Sequence, residues 1–461
     1  MVLPVLGRSP ASRVAHDGTS LGPAELLARV RSAARLLPPG SRVALDGGDA
    51  LTRLTHFLGA DVAGCATLLL EPTWAERERT AVLADAAPHV LLDLNQPEPT
   101  PRQVSTSTES DDSPLPLVSS SQPGTPRDDV TPFYLPTTSG SSGRPKVLVR
   151  SRRSWLRSFD ALGLDLEPRD RVLVPGPLSS SLFLFGALHA LHGGADVHLL
   201  DRWSAPDAAA AARHSTVVHL VPAMLSALLS TLERDPVLRA ECGLRVVVCG
   251  GARVDQQIEE RLGKVLPGCE LVEYYGSAEH SLIAVRRGGR LRPVVDVEVR
   301  DCELWVRSEL SFDGYLDDGV IVPPRTDRGW SAVGDRAILH DDGSLEVLGR
   351  ASAVINTGGR LVGAEEVESV LRGADGVRDV LVAATPHPRF GELVTAVVEV
   401  DPARPPSRRD LRARARHSLE PAKRPRRWLS VRELPRTASG KPARALVADQ
   451  LRDGSLPAEA L

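Results

Sequence analysis

Lysine is nearly missing from this chain: only Lys146, Lys264, Lys423 and Lys441 stand among 56 basic residues. A sequence that writes arginine almost everywhere keeps lysine where a compact point charge is wanted, because the planar guanidinium is bulkier and cannot replace it. Cysteine is also scarce. Cys65, Cys242, Cys249, Cys269 and Cys302 are odd in number and lack C-x-x-C spacing. That excludes a disulfide framework and a zinc site and leaves buried free thiols as the expectation. No apolar run reaches the roughly 18 residues of a membrane span, and no basic segment followed by an apolar core opens the chain. A cytoplasmic location without membrane insertion is therefore expected. With a formal net charge of −3, nothing argues for nucleic acid or a membrane surface as partner. What is present is ordinary for a globular protein: 461 residues, 42% hydrophobic and 25% charged, long enough for two or three domains.

Periodicity predicts an amphipathic helix over 20–37, then strands at 43–45, 66–70 and 90–92 separated by helices at 52–63 and 75–86. Residues 94–129 lose periodicity and read as a surface connection. Strands follow at 171–174, 196–200, 216–221 and 244–249, with helices at 182–191, 223–232 and 255–265, the pattern of a second parallel layer with crossovers. From 294 onward short alternating strands suggest a small antiparallel or barrel-like piece. Strands at 377–384 and 393–400 and an arginine-rich helix at 407–419 complete the chain.

Residues 131–146, TPFYLPTTSGSSGRPK, concentrate hydroxyls and glycines between a strand-like entry and an apolar exit at 147–149. Small side chains let backbone N–H groups surround an anion, and Thr137, Thr138, Ser139, Ser141 and Ser142 add donors, with Gly140 and Gly143 between them. Lys146 adds positive charge, so the stretch suits a polyphosphate. A flexible linker would share the composition but not these edges. It is not a Walker loop, whose lysine directly follows the last glycine.

Ligands in parallel sheets collect at strand ends, here 221–222, 249–252 and 274–276. In EYYGSAE, residues 273–279, an aromatic face can meet a base, Gly276 permits close approach and Glu279 can hold a magnesium ion. Asp335, placed in a turn after Gly334, can accept ribose hydroxyls. In LPRTASGKPAR, residues 434–444, a loop projects Lys441. Taken singly, each of these stretches reads first as a surface turn or an exposed tail.

Together they carry a resemblance. From Thr138 to Lys146 the loop resembles, residue by residue, the phosphate loop of the AMP-forming adenylating enzymes, the superfamily of acyl-CoA synthetases, luciferases and peptide-synthetase adenylation domains. Tyr275, Gly276 and Glu279 match its Tyr-Gly-x-Thr-Glu motif, Ala278 standing in place of threonine, and Leu-Pro-Arg-Thr-x-Ser-Gly-Lys matches its C-terminal motif. The resemblance implies an α/β fold: a large N-terminal domain, residues 1–349, of parallel βαβ layers plus a small β-barrel-like piece, then a small mobile α+β domain, residues 350–461. It implies that Lys441 bridges the carboxylate and α-phosphate, Glu279 holds Mg²⁺, Tyr275 stacks on adenine, and Asp335 and Arg350 reach the ribose. Gly250, Gly251, Ala252, Tyr274, Ser277 and Ala278 are grouped with these as nucleotide-binding positions.

Gly358 and Gly359 match a loop lining the thiol tunnel, Ser352 replaces the hinge acid, and Lys423 matches a further position that solvation or an ion pair explains equally. The substrates implied are ATP, a small carboxylic acid and a thiol, either coenzyme A or the phosphopantetheine of a carrier protein. The resemblance also implies that the small domain rotates about residues 350–352 between the two steps. Residues 177–182 lack the acid that meets an amino-acid substrate's ammonium, and Ser439 stands where adenylation domains commonly have asparagine. Both favour an acyl- or aryl-CoA synthetase, ahead of a stand-alone carrier-loading enzyme and a non-catalytic nucleotide-binding relative. Tyr274, Phe183 and residues 250–253 are expected pocket neighbours, with Arg253 facing a second substrate carboxylate.

Overall fold

The computed structural model describes residues 1–104, 130–138, 145–350, 354–357, 360–388, 390–437 and 440–461. Two nine-stranded sheets dominate the described residues. The interior of one is wholly parallel and runs Val14–His16, Asp196–Leu199, Arg171–Val174, Val217–Leu220, Val246–Gly250 and Glu270–Ser277. The other joins parallel strands Val90–Asp93, Arg42–Asp46, Ala66–Leu69 and Pro132–Tyr134 to antiparallel Lys146–Ser151 and Gly314–Asp317. Strands buried on both faces read as apolar runs, which is why 43–45, 171–174 and 244–249 were legible in the sequence.

Helices Ala50–Val62 and Arg152–Leu162 touch strands of both sheets. A shared apolar core fills the space between, centred on Phe57, Phe133, Tyr134, Trp155, Phe159 and Phe185 in edge-on and tilted ring contacts. The helix Arg152–Leu162 escapes the periodicity reading because Arg152, Ser154 and Ser158 lie on its buried face among Trp155, Phe159 and Leu162. Arg152 is there for a reason. Its Nε donates to Asp61 Oδ1 at 2.5 Å and its Nη2 to Asp61 O at 2.8 Å, while Val5 N donates to Asp61 Oδ2 at 2.8 Å. One buried carboxylate thus joins the N-terminal segment and the two helices between the sheets.

A four-stranded antiparallel sheet, Asp296–Arg300, Glu303–Arg307, Ser331–Leu339 and Leu345–Arg350, forms the expected small β piece. From Ile355 onward the chain buries apolar clusters of its own around Val380, Val394 and Leu411 and around Val397, Leu429 and Val447, sharing no residue with the large core.

Three expectations need amendment. Residues 101–103 are not structureless: Pro101–Gln103 pairs antiparallel with Val90–Asp93, and residues 105–129 lie outside the described chain. Asp335 lies inside the strand Ser331–Leu339, because the turn signalled by nearby glycines closes earlier, at Asp327 and Trp330. Among the thiols, Cys65 and Cys249 are buried, but Cys242 and Cys269 are half-buried and Cys302 is exposed in a turn.

Two measurements probe this core. Replacing Asp61 with Asn should lower unfolding stability by about 3–5 kcal/mol in denaturant titration, because the Arg152 guanidinium stays buried without its counter-charge. His189 and His219 lie against Phe185, buried, with His189 Nδ1 and both nitrogens of His219 lacking a hydrogen-bond partner among the described residues. Burial pushes His189 down to about 3 and His219 down to about 4. The unfolded chain takes up these protons near its ordinary imidazole value and the native chain does not, so stability is full above that value and falls as pH drops toward 4. Each histidine steepens the fall by up to about 1.4 kcal/mol per pH unit, and His219→Phe should flatten the slope of thermal stability against pH there.

Candidate active site

The phosphate-loop candidate is a hairpin. Thr137 and Thr138 pair with Val147 and Lys146, and Ser139, Gly140, Ser141, Ser142 and Gly143 between them lie outside the described residues. Along Lys146–Ser151, alternate residues share a face. Lys146 and Arg150 therefore point the same way, Lys146 exposed at the mouth and Arg150 buried below.

Arg150 is a residue that sequence reasoning missed. Its Nη1 donates to Ala278 O at 2.9 Å, its Nη2 to Leu310 O at 2.8 Å and its Nε to Ser154 Oγ at 3.2 Å. Burial pulls the guanidinium down to about 10, with Asp313 and Glu279 opposing; it remains charged at neutral pH. Phe312 N donates to Glu279 O at 2.7 Å, so the turn carrying Glu279 is held by consecutive carbonyls. Tyr315 joins the two charges of the hairpin and the turn: its hydroxyl donates to Glu279 Oε1 at 3.3 Å while Lys146 Nζ sits 5.0 Å from its ring centroid.

The strand Glu270–Ser277 turns back as Ser281–Arg287, and the register slips between Tyr275 and Gly276. A Cβ on Gly276 would lie 1.8 Å from Ser281 O, so only glycine fits there. Tyr275 donates its hydroxyl to Asp335 Oδ2, bringing the adenine and ribose candidates together, and Arg350 lies opposite Asp335 in register. His280, also missed, is buried; Ser277 Oγ accepts from its backbone N–H at 3.1 Å, and its Nε2 lies 2.8 Å from Ser331 Oγ. It ties the turn to the strand bearing Asp335. The only signal it offers in sequence is its place directly after Glu279.

Lys441 arrives from the far end of the chain. A Cβ added to Gly251, whose φ is +86°, would lie 2.2 Å from Lys441 Cε and 2.6 Å from its Nζ. One added to Gly440 would lie 2.6 Å from Met224 Cε. The lysine therefore lies along bare backbone at the end of Val246–Gly250. Its loop is braced by Thr437 N donating to Lys441 O at 2.8 Å and Arg436 Nη1 donating to Gly440 O at 3.1 Å. Gly250 pairs with Tyr274, whose ring lies over the glycine, and burial pushes that phenol up. The candidates thus form one strip: Lys441 on Gly251, Gly250 under Tyr274, Tyr275 on Asp335, then Glu279, Tyr315 and Lys146. Ala252 and Arg253 sit exposed beside it.

Other expected residues fall differently. Lys423 Nζ pairs with Glu366 at 2.7 Å within the C-terminal unit, which accounts for its charge. Phe183 packs on Gly176. Ser352, Gly358 and Gly359 lie outside the described residues. The segment 177–182, without an acid of its own, receives one from elsewhere: Ser179 Oγ donates to Glu71 Oε2 at 2.6 Å. Thr73 occupies the other oxygen of Glu71 at 3.1 Å, and Arg53 lies close enough to offset its charge.

No group of three or more metal-ligating side chains occurs among the described residues. A lone carboxylate beside the candidate phosphate hairpin nevertheless fits Mg²⁺, which dehydrates reluctantly and is held by one or two carboxylates plus substrate phosphates.

A family model described as AMP-binding enzyme matches residues 6–316, and one described as AMP-binding enzyme C-terminal domain matches residues 366–441. The chain belongs to the AMP-binding enzyme family. Among curated relatives, an uncharacterized acyl–CoA ligase, YhfT of Bacillus subtilis, is 29% identical over 449 residues, covering 90% of this chain and 88% of its own. Among solved structures, ATP-bound MatB from Rhodopseudomonas palustris superposes with a TM-score of 0.80 at 19% identity over 98% of this chain and 99% of its own. The amide bond synthetase McbA from Marinactinospora thermotolerans gives 0.77 at 26% identity over 98% and 99%. The α/β architecture expected of an adenylate-forming enzyme is therefore present, and among the described residues no helix is long and apolar enough to cross a membrane.

In this AMP-binding enzyme, Tyr315→Phe keeps the ring under Lys146 and removes the donor to Glu279. Affinity for ATP with magnesium, titrated calorimetrically, should fall about three- to tenfold, and Tyr315→Leu should cost more.

Proposed function

We propose that the enzyme adenylates a small carboxylic acid with ATP and passes the acyl group to the thiol of coenzyme A, working as a large domain of residues 1–349 and a small one of residues 350–461. The observation that carries this reading is Lys441 seated on Gly251, at the strand ends where Tyr274 and Tyr275 begin the strip toward Glu279. A cation is wanted there. When a carboxylate oxygen attacks the α-phosphorus and the bond to pyrophosphate breaks, negative charge spreads over the equatorial phosphate oxygens, and catalysis consists of positioning and electrostatic stabilisation. Lys441 meets the carboxylate and α-phosphate in this scheme. Thr137, Thr138, the loop 139–143 and Lys146 take the β- and γ-phosphates. Tyr275 stacks on adenine, and Asp335, with Arg350 opposite, accepts the ribose hydroxyls.

Glu279 would hold the magnesium ion, which when bound neutralises phosphate charge. Tyr315 orients that carboxylate, and Arg150 fixes the turn that bears it. Ala278 offers no hydroxyl, and its carbonyl is occupied by Arg150. In the second step a thiol sulfur attacks the acyl carbonyl and AMP leaves with the bonding electrons, the thiol proton passing to solvent.

Glu71 does not change the choice against amino-acid substrates. Its oxygens are taken by Ser179 and Thr73, and Arg53 offsets its charge, so it is poorly disposed to receive an ammonium. Relatives named as acyl- and aryl-CoA ligases, including 2-succinylbenzoate–CoA ligase of Escherichia coli, support coenzyme A as acceptor.

Acid-dependent ATP–pyrophosphate exchange across a panel of carboxylic acids tests the reading. Exchange with some acid, followed by acyl-CoA formation, is expected; exchange with none would leave a nucleotide-binding relative, and acyl transfer only to a phosphopantetheinylated carrier would change the acceptor. Lys441→Ala should reduce exchange by about 100-fold or more while sparing thioester formation from preformed acyl-AMP within a few-fold. An equal fall in both steps would remove the role assigned to this lysine.

A further inference from the structure

Asp255 stands at the N-cap of helix Gln256–Val265, where aspartate is favoured because its carboxylate accepts from the first free N–H groups. Here it makes no such bond. Its carboxylate turns instead to the C-terminal unit. Ser369 Oγ lies 3.5 Å from Oδ1 as donor, and Arg372 Nη1 lies 3.9 Å from Oδ2, an ion-pair distance that leaves Oδ2 buried and without a hydrogen bond among the described residues. Two residues on, Gln257 Nε2 donates to Gly373 O at 3.3 Å. All three contacts fall on the end of helix Ala364–Arg372 and the glycine that closes it.

From there an ion-pair chain runs to the catalytic lysine's loop. Arg372 Nε donates to Asp379 Oδ1 at 3.1 Å, and Asp379 Oδ2 accepts from Arg436 Nη1 at 3.0 Å. Arg436 also pairs with Glu399 at 2.7 Å, and the same Nη1 donates to Gly440 O, one residue before Lys441. Asp379 is 3% exposed, so these charges meet away from water, where paired hydrogen bonds are strong and a missing partner is costly. Burial pushes the Asp255 carboxyl up, against the pull of Arg372 and Arg253. A carboxylate placed at that cost, and not used by its own helix, is placed for its partner.

We propose that Asp255 is a positioning residue for adenylation: it is the anchor on the large domain that, through Arg372, Asp379 and Arg436, sets Lys441 on Gly251. The proposal rests on the reading in which Lys441 serves the α-phosphate. It requires that the contact bear on the step that uses Lys441 and not on the one that does not.

Asp255→Asn preserves shape and capping capacity, so the fold is retained. Acid-dependent ATP–pyrophosphate exchange should lose about tenfold in kcat with the KM for ATP within about twofold, while transfer from preformed acyl-AMP to coenzyme A is unchanged or faster. Asp255→Glu should recover part of the loss. Independently of activity, amide hydrogen exchange at residues 254–257 and 440–441 should quicken in Asp255→Asn while exchange in the core strands of the large sheets stays unchanged. Unchanged amide exchange, or an equal fall in both half-reactions, overturns the proposal. A wild-type enzyme that shows no pyrophosphate exchange with any acid defeats the functional reading instead, and the amide comparison then still decides whether Asp255 holds the lysine's loop.

Discussion

The buried guanidinium of Arg150 is the constraint on which the site depends. One side chain holds the carbonyl of Ala278, the carbonyl of Leu310 and the hydroxyl of Ser154, and so binds the strand after the phosphate hairpin to the turn of Glu279 and to the strand connection beyond it. Its planar fork makes this possible, since a lysine could not reach two carbonyls in fixed directions. A charge in so dry a place is tolerable because each of its three nitrogens has an acceptor, and its fixed position brings Lys146, Tyr315 and Glu279 within reach of one another. The chain's heavy use of arginine is mostly solvated surface; at position 150 the same residue type becomes structural.

The strip of candidate residues runs across elements that meet at strand ends, the usual place for ligands in parallel sheets. Tyr274 and Gly250 are register partners, Tyr275 and Asp335 meet by a hydrogen bond, and Glu279 follows within one turn. The base and metal candidates lie on one strand and its turn, while the ribose candidate Asp335 and the phosphate candidate Lys146 meet them from the strands Ser331–Leu339 and Lys146–Ser151. The lysine alone comes from another unit, with an apolar core of its own.

Much of this was legible in the chain, and the reasons are physical. Parallel strands buried on both faces announce themselves as apolar runs, and their expected bounds fall within a few residues of those found at 171–174, 196–199 and 217–220. Tyr275, Glu279, Asp335 and Lys441 were picked out as candidates through motifs, and the structure places Tyr275 on Asp335 and Lys441 on Gly251. Arg150, His280, Tyr315 and Asp255 were not, since each acts through a partner distant in sequence: Leu310 for Arg150, Ser331 for His280, Arg372 for Asp255. A side chain that bonds backbone carbonyls leaves no pattern in neighbouring letters. The helix Arg152–Leu162 was missed for a related reason, its inner face carrying an arginine and two serines that look like surface until Asp61 is found opposite.

Gly251 carries a consequence of another kind. The seat of Lys441 is a surface of bare main chain, offered by one glycine and approached beside another whose added side chain would strike Met224. A joint shaped by absent atoms asks little of the partner's sequence: one long straight side chain and a tight loop to present it. Its specificity therefore lies in what is missing from the main chain at Gly251, and any side chain added there would displace Lys441 before it altered anything else.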